Sequence, residues 1–285
     1  MSEPASDTVP ERPATQRARW ALGLLLTPGV VLLAEFVSPR VRVSAFWADV
    51  IAFAGATVFP ISSLALAATA QLSLGACLAL AVPAALALLV LAWQQPSPEI
   101  TLLIVDAALV ALAWALGSSL GRRVQHASHL FPACVVAACA DLISLLSPEG
   151  PSNAIAQSDR ALSVLAVGFP VPGTRAVAPA LGVGDLLFIA LVFGVSWTHR
   201  LPYLRSVVLC LLGTALAGVA AGALSMAVPA LVPIAAAIVL GLPMIRELRR
   251  ADRRAARLSM LIAGSVALAT LVRAFATRSG PWAGH

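Results

Sequence analysis

The chain has 285 residues, 60% of them hydrophobic and only 11% charged, with a mean hydropathy of +0.92 and a net charge of +6. A soluble domain is typically about 45–50% apolar and about 25% charged, so composition excludes a water-soluble globule of this size. It also excludes a disordered chain, which needs low hydrophobicity and high charge. A transmembrane β-barrel is excluded by pattern, because its strands alternate apolar and polar residues, whereas residues 78–93 are apolar on every face.

A membrane-spanning helix needs roughly 20 predominantly apolar residues. Residues 1–19 are rich in Ser, Pro, Glu and Arg and read as a disordered polar tail. The run at 20–37 follows Arg17 and Arg19; it is long for a signal-peptide core and reads as a retained anchor. Further runs occupy 45–70, 72–93, 100–118, 130–147, 181–197, 202–227, 229–245 and 258–272. The pattern predicts an all-α polytopic membrane protein with about nine transmembrane helices. Three parts follow the tail: an N-terminal bundle over 20–128, a core over 129–246, and an Arg-rich loop with one further helix over 247–285. A long connection at 148–180, dense in Pro and Gly, interrupts the core. Long connections in compact proteins are usually functional or disordered.

All 19 basic residues are Arg. They cluster in short loops between apolar runs, as the positive-inside rule describes. No basic patch carries interleaved aromatics, so no nucleic-acid partner is expected. Cys77, Cys134, Cys139 and Cys210 all fall in apolar runs without metal-ligand spacing, and read as free thiols. Neither a metal nor a cofactor is expected.

Ionisable residues inside membrane spans are functional candidates by default. Glu35 and Asp49 lie near the ends of their runs, within reach of the interface and of Arg40 and Arg42. Asp106 lies deeper, where a structural hydrogen bond within the bundle would account for it. Asp141 and Asp185 differ because their positions match. Asp141 precedes Pro148 by seven residues, about 10 Å along a helix, and Asp185 follows Pro179 by six, about 9 Å. If their runs are consecutive antiparallel helices, both carboxyls lie at one depth below one face. Two carboxyls a few ångströms apart cannot both ionise cheaply and tend to share a proton. One then serves as general base on water while the other protonates a carbonyl oxygen.

Asp185 closes the sequence Gly182-Val183-Gly184-Asp185. With 19 Gly and seven Asp in the chain, the chance expectation of such a GxGD pattern is roughly 0.03. Glycines beside a carboxyl let another backbone approach closely. Further on, Pro229-Ala230-Leu231, with Pro233 behind it, opens a span with irregular backbone. At membrane depth such backbone is tolerated where it lines a cavity.

Together these elements resemble the intramembrane aspartyl proteases of the presenilin and signal peptide peptidase family. That family has an aspartate in one helix, GxGD in the next and Pro-Ala-Leu two helices later. The stretch from Asp141 to Pro151 is similar to the DL..LL.P.GP pattern of the presenilin branch. The resemblance covers about residues 130–245. It implies a presenilin-like core, an Asp141/Asp185 dyad that hydrolyses peptide bonds of transmembrane segments, and site motifs at Gly182, Val183, Gly184, Pro229, Ala230 and Leu231. It also implies that the substrate unwinds and adds as an extended strand near GxGD, where residues 171–180 are the candidate. Three features depart from the family: Ala140 stands where a Tyr usually precedes the first aspartate, one early helix is missing, and an extra span follows Pro-Ala-Leu.

Two other readings fit parts of the pattern. Prepilin peptidases share GxGD, but usually carry a Lys soon after it and often a cytoplasmic domain with paired cysteines; this chain has neither. A proton-coupled carrier would use Asp106, Asp141 and Asp185 as a relay. Arg counts bear on sidedness. Ten Arg (Arg122, Arg123, Arg200, Arg205 and the six from Arg246 to Arg257) fall on one side of the core. Arg160 and Arg175 fall on the other. The positive-inside rule then places the N-terminus in the cytoplasm and loop 148–180 outside. The Arg-only, Ala-rich composition points to a prokaryotic cell membrane. The expected partners are the bilayer and transmembrane helical substrates.

Overall fold

The computed structural model describes residues 13–70, 73–94, 98–224 and 227–277. Five helices come first: α1 (Pro13–Val37), α2 (Ala45–Ala67), α3 (Leu74–Gln94), α4 (Pro98–Ala113) and α5 (Ser119–Arg123). One π-helical turn, Trp114–Ser118, joins α4 to α5. The core follows with α6 (Leu130–Leu146), α7 (Pro151–Ala156), α8 (Asp159–Leu165), β1 (Ala166–Pro170), β2 (Val177–Gly182), α9 (Val183–Thr198), α10 (Tyr203–Leu224) and α11 (Leu231–Gly241). The last helix is α12 (Arg253–Thr277).

Among the described residues, seven helical stretches are long and apolar enough to cross a membrane: Ala21–Arg40, Ala45–Ala67, Gly75–Gln94, Thr101–Arg123, Ala127–Leu146, Tyr203–Leu224 and Arg253–Arg273. The chain is a polytopic α-helical membrane protein. Nine spans were expected; the two apolar helices that fall short, Val183–Thr198 and Leu231–Gly241, are those that follow the GxGD and Pro-Ala-Leu motifs. Pro28, Pro60 and Pro83 sit inside α1, α2 and α3, as prolines are tolerated in transmembrane helices.

Three expectations need correction. Residues 1–12 of the expected polar tail lie outside the described residues, but 13–19 are the first turns of α1 rather than tail. The connection at 148–180, expected as one long loop, contains regular elements. It holds two short helices and an antiparallel hairpin, β1–β2. The extended segment expected at 171–180 is displaced: 171–176 is the hairpin turn, and the strand begins at Val177 and runs into GxGD.

Local chemistry explains these elements. Pro151 opens α7 directly after Gly150, the position where proline's missing N–H costs nothing. Ser158 caps α8, its Oγ accepting from the Ala161 N–H at 3.2 Å. Gly173 has φ of 80° in the hairpin turn, a conformation side chains rarely adopt. Its N–H donates to the Ser38 carbonyl at 2.8 Å, and the Ser38 hydroxyl donates to the Val171 carbonyl at 2.9 Å. The turn is thereby tied to the segment between α1 and α2.

The tightest helix contact joins the α4–α5 segment to α9. Gly117 and Gly121 have the Leu187 and Leu191 carbonyls where a Cβ would sit, and a Cβ on Gly194 would come within 2.6 Å of the Ser118 carbonyl oxygen. Small residues let helix backbones approach this way in membranes. Trp114, Leu109, Leu186, Ile189 and Phe193 are fully buried around the crossing. In contrast, α6 packs mainly along α11 and α12 and touches α9 only lightly.

Candidate active site

All three motifs converge on one cavity of about 250 Å³. Its lining includes Asp141 and Leu145 from α6, Gly182, Val183, Gly184 and Asp185 from the start of α9, and Val228, Pro229, Ala230 and Leu231 from the start of α11. Ser152, Ile155, Leu162 and Leu165 of α7 and α8 close one side, and Pro179 and Ala180 of β2 line another. Both aspartates are half-buried and line this space.

Each carboxyl is held by a backbone N–H from a motif. The Leu231 N–H donates to Asp141 Oδ2 at 3.0 Å, and the Gly182 N–H donates to Asp185 Oδ2 at 3.1 Å. The sequence motif therefore has a specific local meaning: the helix that follows Pro-Ala-Leu presents an early N–H, which has no partner within its own helix, to the aspartate of α6. Gly182 is the N-cap of α9 and Asp185 its third residue, so Asp185 makes half of a capping box. Glycine has no side chain to make the other half. Gly184 is exposed to the cavity, and nothing lies within 4 Å of where its Cβ would be. The expected room for an approaching backbone is present there.

The cavity has room for water: one needs roughly 10–15 Å³ of such space, so several fit. Strand β2 borders the cavity, and among the described residues its second edge pairs with no strand. Such an edge is a template for strand addition.

Asp106 is not part of this cavity's lining. It is fully buried in α4, and its Oδ1 accepts from the Gly168 N–H of β1 at 3.1 Å, while Oδ2 meets no hydrogen-bond partner. The expected structural hydrogen bond exists, but it reaches the hairpin rather than another helix. Gly168 stands next to a register shift in the ladder at Val167/Gly168, and Asp106 accepts its N–H there. Of the remaining acids, Asp49 is exposed, and Arg40 lies over the Phe36 ring at 4.4 Å. Cys77, Cys134 and Cys210 are buried free thiols, and Cys139 is a half-buried one. Among the described residues, no cluster of His, Cys, Asp and Glu has the make-up of a metal site.

Sequence reasoning missed strand β1 and the polar group Ser152. Residues 166–170 are short and end in Pro, which masks a strand. Ser152 is positioned by Ser144 of α6, whose Oγ donates to the Ser152 Oγ and accepts from its N–H, each at 2.8 Å. No spacing in the sequence signals that pair. No protein-family model, curated protein or solved structure matches this chain.

Proposed function

We propose that the protein is an intramembrane aspartyl protease of presenilin-like type, with Asp141 and Asp185 as its catalytic pair. The observation that carries this reading is the shared cavity, in which the two carboxyls, GxGD and Pro-Ala-Leu meet. A carrier relay through three aspartates finds less support, because Asp106 is committed to the hairpin and lies off that cavity.

The proposed chemistry needs one proton shared by the pair. The ionised carboxyl removes a proton from water as its oxygen attacks the scissile carbonyl carbon. The protonated carboxyl donates to the carbonyl oxygen, giving a tetrahedral diol. The carboxyl that took the water's proton then gives it to the amide nitrogen while the other takes a proton from a diol hydroxyl; the C–N bond breaks, the new carboxyl group forms, and the pair again holds one proton. The Leu231 and Gly182 N–H groups orient the two carboxyls. A substrate helix first unwinds, and its freed backbone pairs with the open edge of β2.

Nine membrane crossings suit this reading better than seven. At 1.5 Å per residue, the 16 residues of α9 reach about 24 Å and the 11 of α11 about 16 Å. A hydrocarbon core is about 30 Å thick. Both motif helices then begin inside the bilayer, with hairpin and irregular chain completing their crossings within protein walls. Arg counts orient the whole with the N-terminus in the cytoplasm of a prokaryotic cell and loop 148–180 outside, so the preferred substrates have cytoplasmic N-termini.

The decisive experiment incubates purified protein in detergent with a peptide carrying a flexible transmembrane segment. New termini appear with the wild type and are absent with Asp141→Ala and with Asp185→Ala; near-normal turnover by either variant refutes the dyad. Orientation is checked by impermeant maleimide on intact cells, with Gln157→Cys or Ala255→Cys in a background lacking the native cysteines. Labelling at 157 and protection at 255 are expected, and the reverse pattern inverts the topology.

A further inference from the structure

Six arginines lie between Arg246 and Arg257, all exposed, and they divide into two sets. Arg246 donates from Nε to the Val239 carbonyl at 2.8 Å, Arg253 from Nε to the Leu248 carbonyl at 3.0 Å, and Arg249 from Nη1 to His126 Nε2 at 2.7 Å. These three face the protein. Arg250, Arg254 and Arg257 have no hydrogen-bond or ion-pair partner among the described residues. Of the nearby acids, Asp252 is already engaged by His129 Nε2 at 3.2 Å, leaving Glu247.

The unpartnered set is spaced i, i+4, i+7 through the last turn before α12 and its first turns, which puts all three on one face. Continuing that face down the helix gives Leu258, Leu261 and Ile262, which are 58%, 70% and 56% exposed. One stripe therefore runs from three free guanidinium groups directly into bare aliphatic surface. A sidedness signal requires only that Arg be numerous in a loop. It does not require that half of them be left unpaired in line with an apolar track.

We propose that Arg250, Arg254 and Arg257 form a headgroup site for anionic membrane phospholipids, with an acyl chain lying along Leu258, Leu261 and Ile262. Guanidinium groups match phosphate geometry through paired N–H donors, and α12 enters the bilayer where headgroup phosphates lie. The site is independent of any proteolytic activity.

Each basic residue near an anionic lipid surface is worth about fivefold in affinity, so three give about a hundredfold. The test is native mass spectrometry of the full chain in neutral detergent, titrated with phosphatidylglycerol or with phosphatidylcholine of identical acyl chains. Wild type is expected to retain phosphatidylglycerol at about a hundredfold lower concentration than an R250Q/R254Q/R257Q variant. The corresponding triple Lys variant keeps most of this preference, because the charge remains. Should the triple Gln variant misfold, Arg254→Gln alone is expected to lose about fivefold. Equal retention of both lipids by the wild type, or no loss in the Gln variants, overturns the proposal. Displacement of the lipid by inorganic phosphate or by a poly-glutamate peptide at equal concentration also overturns it, since the site would then read a soluble anion.

Discussion

Helix α9 buries nine of its sixteen residues, and α6 buries four of its seventeen. The two aspartates that share a cavity are thus carried on unequal supports. Asp185 stands on a helix seated by backbone contact at Gly117, Gly121 and Gly194. Asp141 stands on a peripheral helix that rests on α11 and α12. Its entry is fixed by loop contacts, His129 to Asp252 and His126 to Arg249. Under the proposed function, a substrate that enters sideways and unwinds would displace the lightly held wall at α6 more readily than the fixed wall at α9. The difference also predicts that equivalent perturbations on the two sides have unequal results.

The comparison breaks outright at the carboxyls, where both sides matter equally. Asp141→Asn and Asp185→Asn are each expected to abolish peptide cleavage, and the double variant is expected to be no worse, since groups acting as one unit are not additive. Product formation by mass spectrometry measures this. The wild-type rate should trace a bell against pH, one limb for each member of the pair. A single-limbed profile removes the shared proton from the mechanism.

On the fixed wall, Gly194→Leu drives a side chain into the Ser118 backbone. Overpacking typically costs about 1–3 kcal/mol, and a lowered unfolding temperature in detergent is expected. No protein atom lies within 4 Å of a Cβ placed on Gly184, so the fold should survive Gly184→Leu while the side chain occupies the cavity and cleavage falls. If Gly184→Leu cleaves at the wild-type rate, the substrate backbone does not pass there.

Asp106 tests the hairpin between the two walls. Asp106→Leu leaves the buried Gly168 N–H without an acceptor, a loss of about 1–3 kcal/mol, whereas Asp106→Asn keeps an oxygen in place. Amide hydrogen exchange at Gly168 should quicken in the Leu variant and stay slow in the Asn variant. Equal exchange in all three proteins means that the carboxyl does not hold the strand. The smallest effect is expected on the lightly held wall. His129→Ala removes a half-exposed contact to Asp252, and an exposed polar pair of this kind is worth about 0.2–1 kcal/mol. Stability should barely change, while the spin-label distance between α6 and α9 should broaden.

Much of this site was legible in the sequence because its chemistry is local. Gly182 and Asp185 are three residues apart, and a helix start turns that spacing into a hydrogen bond. Asp141 and Pro148 mark depth through helix rise alone. The bond from Leu231 to Asp141 spans 90 residues; the resemblance put both in one site but gave no bond between them. The hairpin was legible by half. Residues 177–180 were expected to be extended, but β1 depends on Asp106, 62 residues away, and on burial against α2 and α4. The contrast between α6 and α9 left little trace, since both segments are uniformly apolar and a membrane protein hides its packing from hydrophobicity. The Gly117, Gly121 and Gly194 spacing was the available sign.

The early starts of α9 and α11 have an electrical consequence. Peptide dipoles aligned along a helix leave roughly half a positive charge at its N-terminus. Two such ends, at Val183 and Leu231, border one cavity of about 250 Å³, in a medium that screens little. The chain has no Lys and no Arg in that lining, so the macrodipoles are its source of positive potential. They favour holding one negative charge there and contribute nothing that titrates away as pH changes; in the proposed reaction that charge would pass from the carboxyl pair to an oxygen during attack.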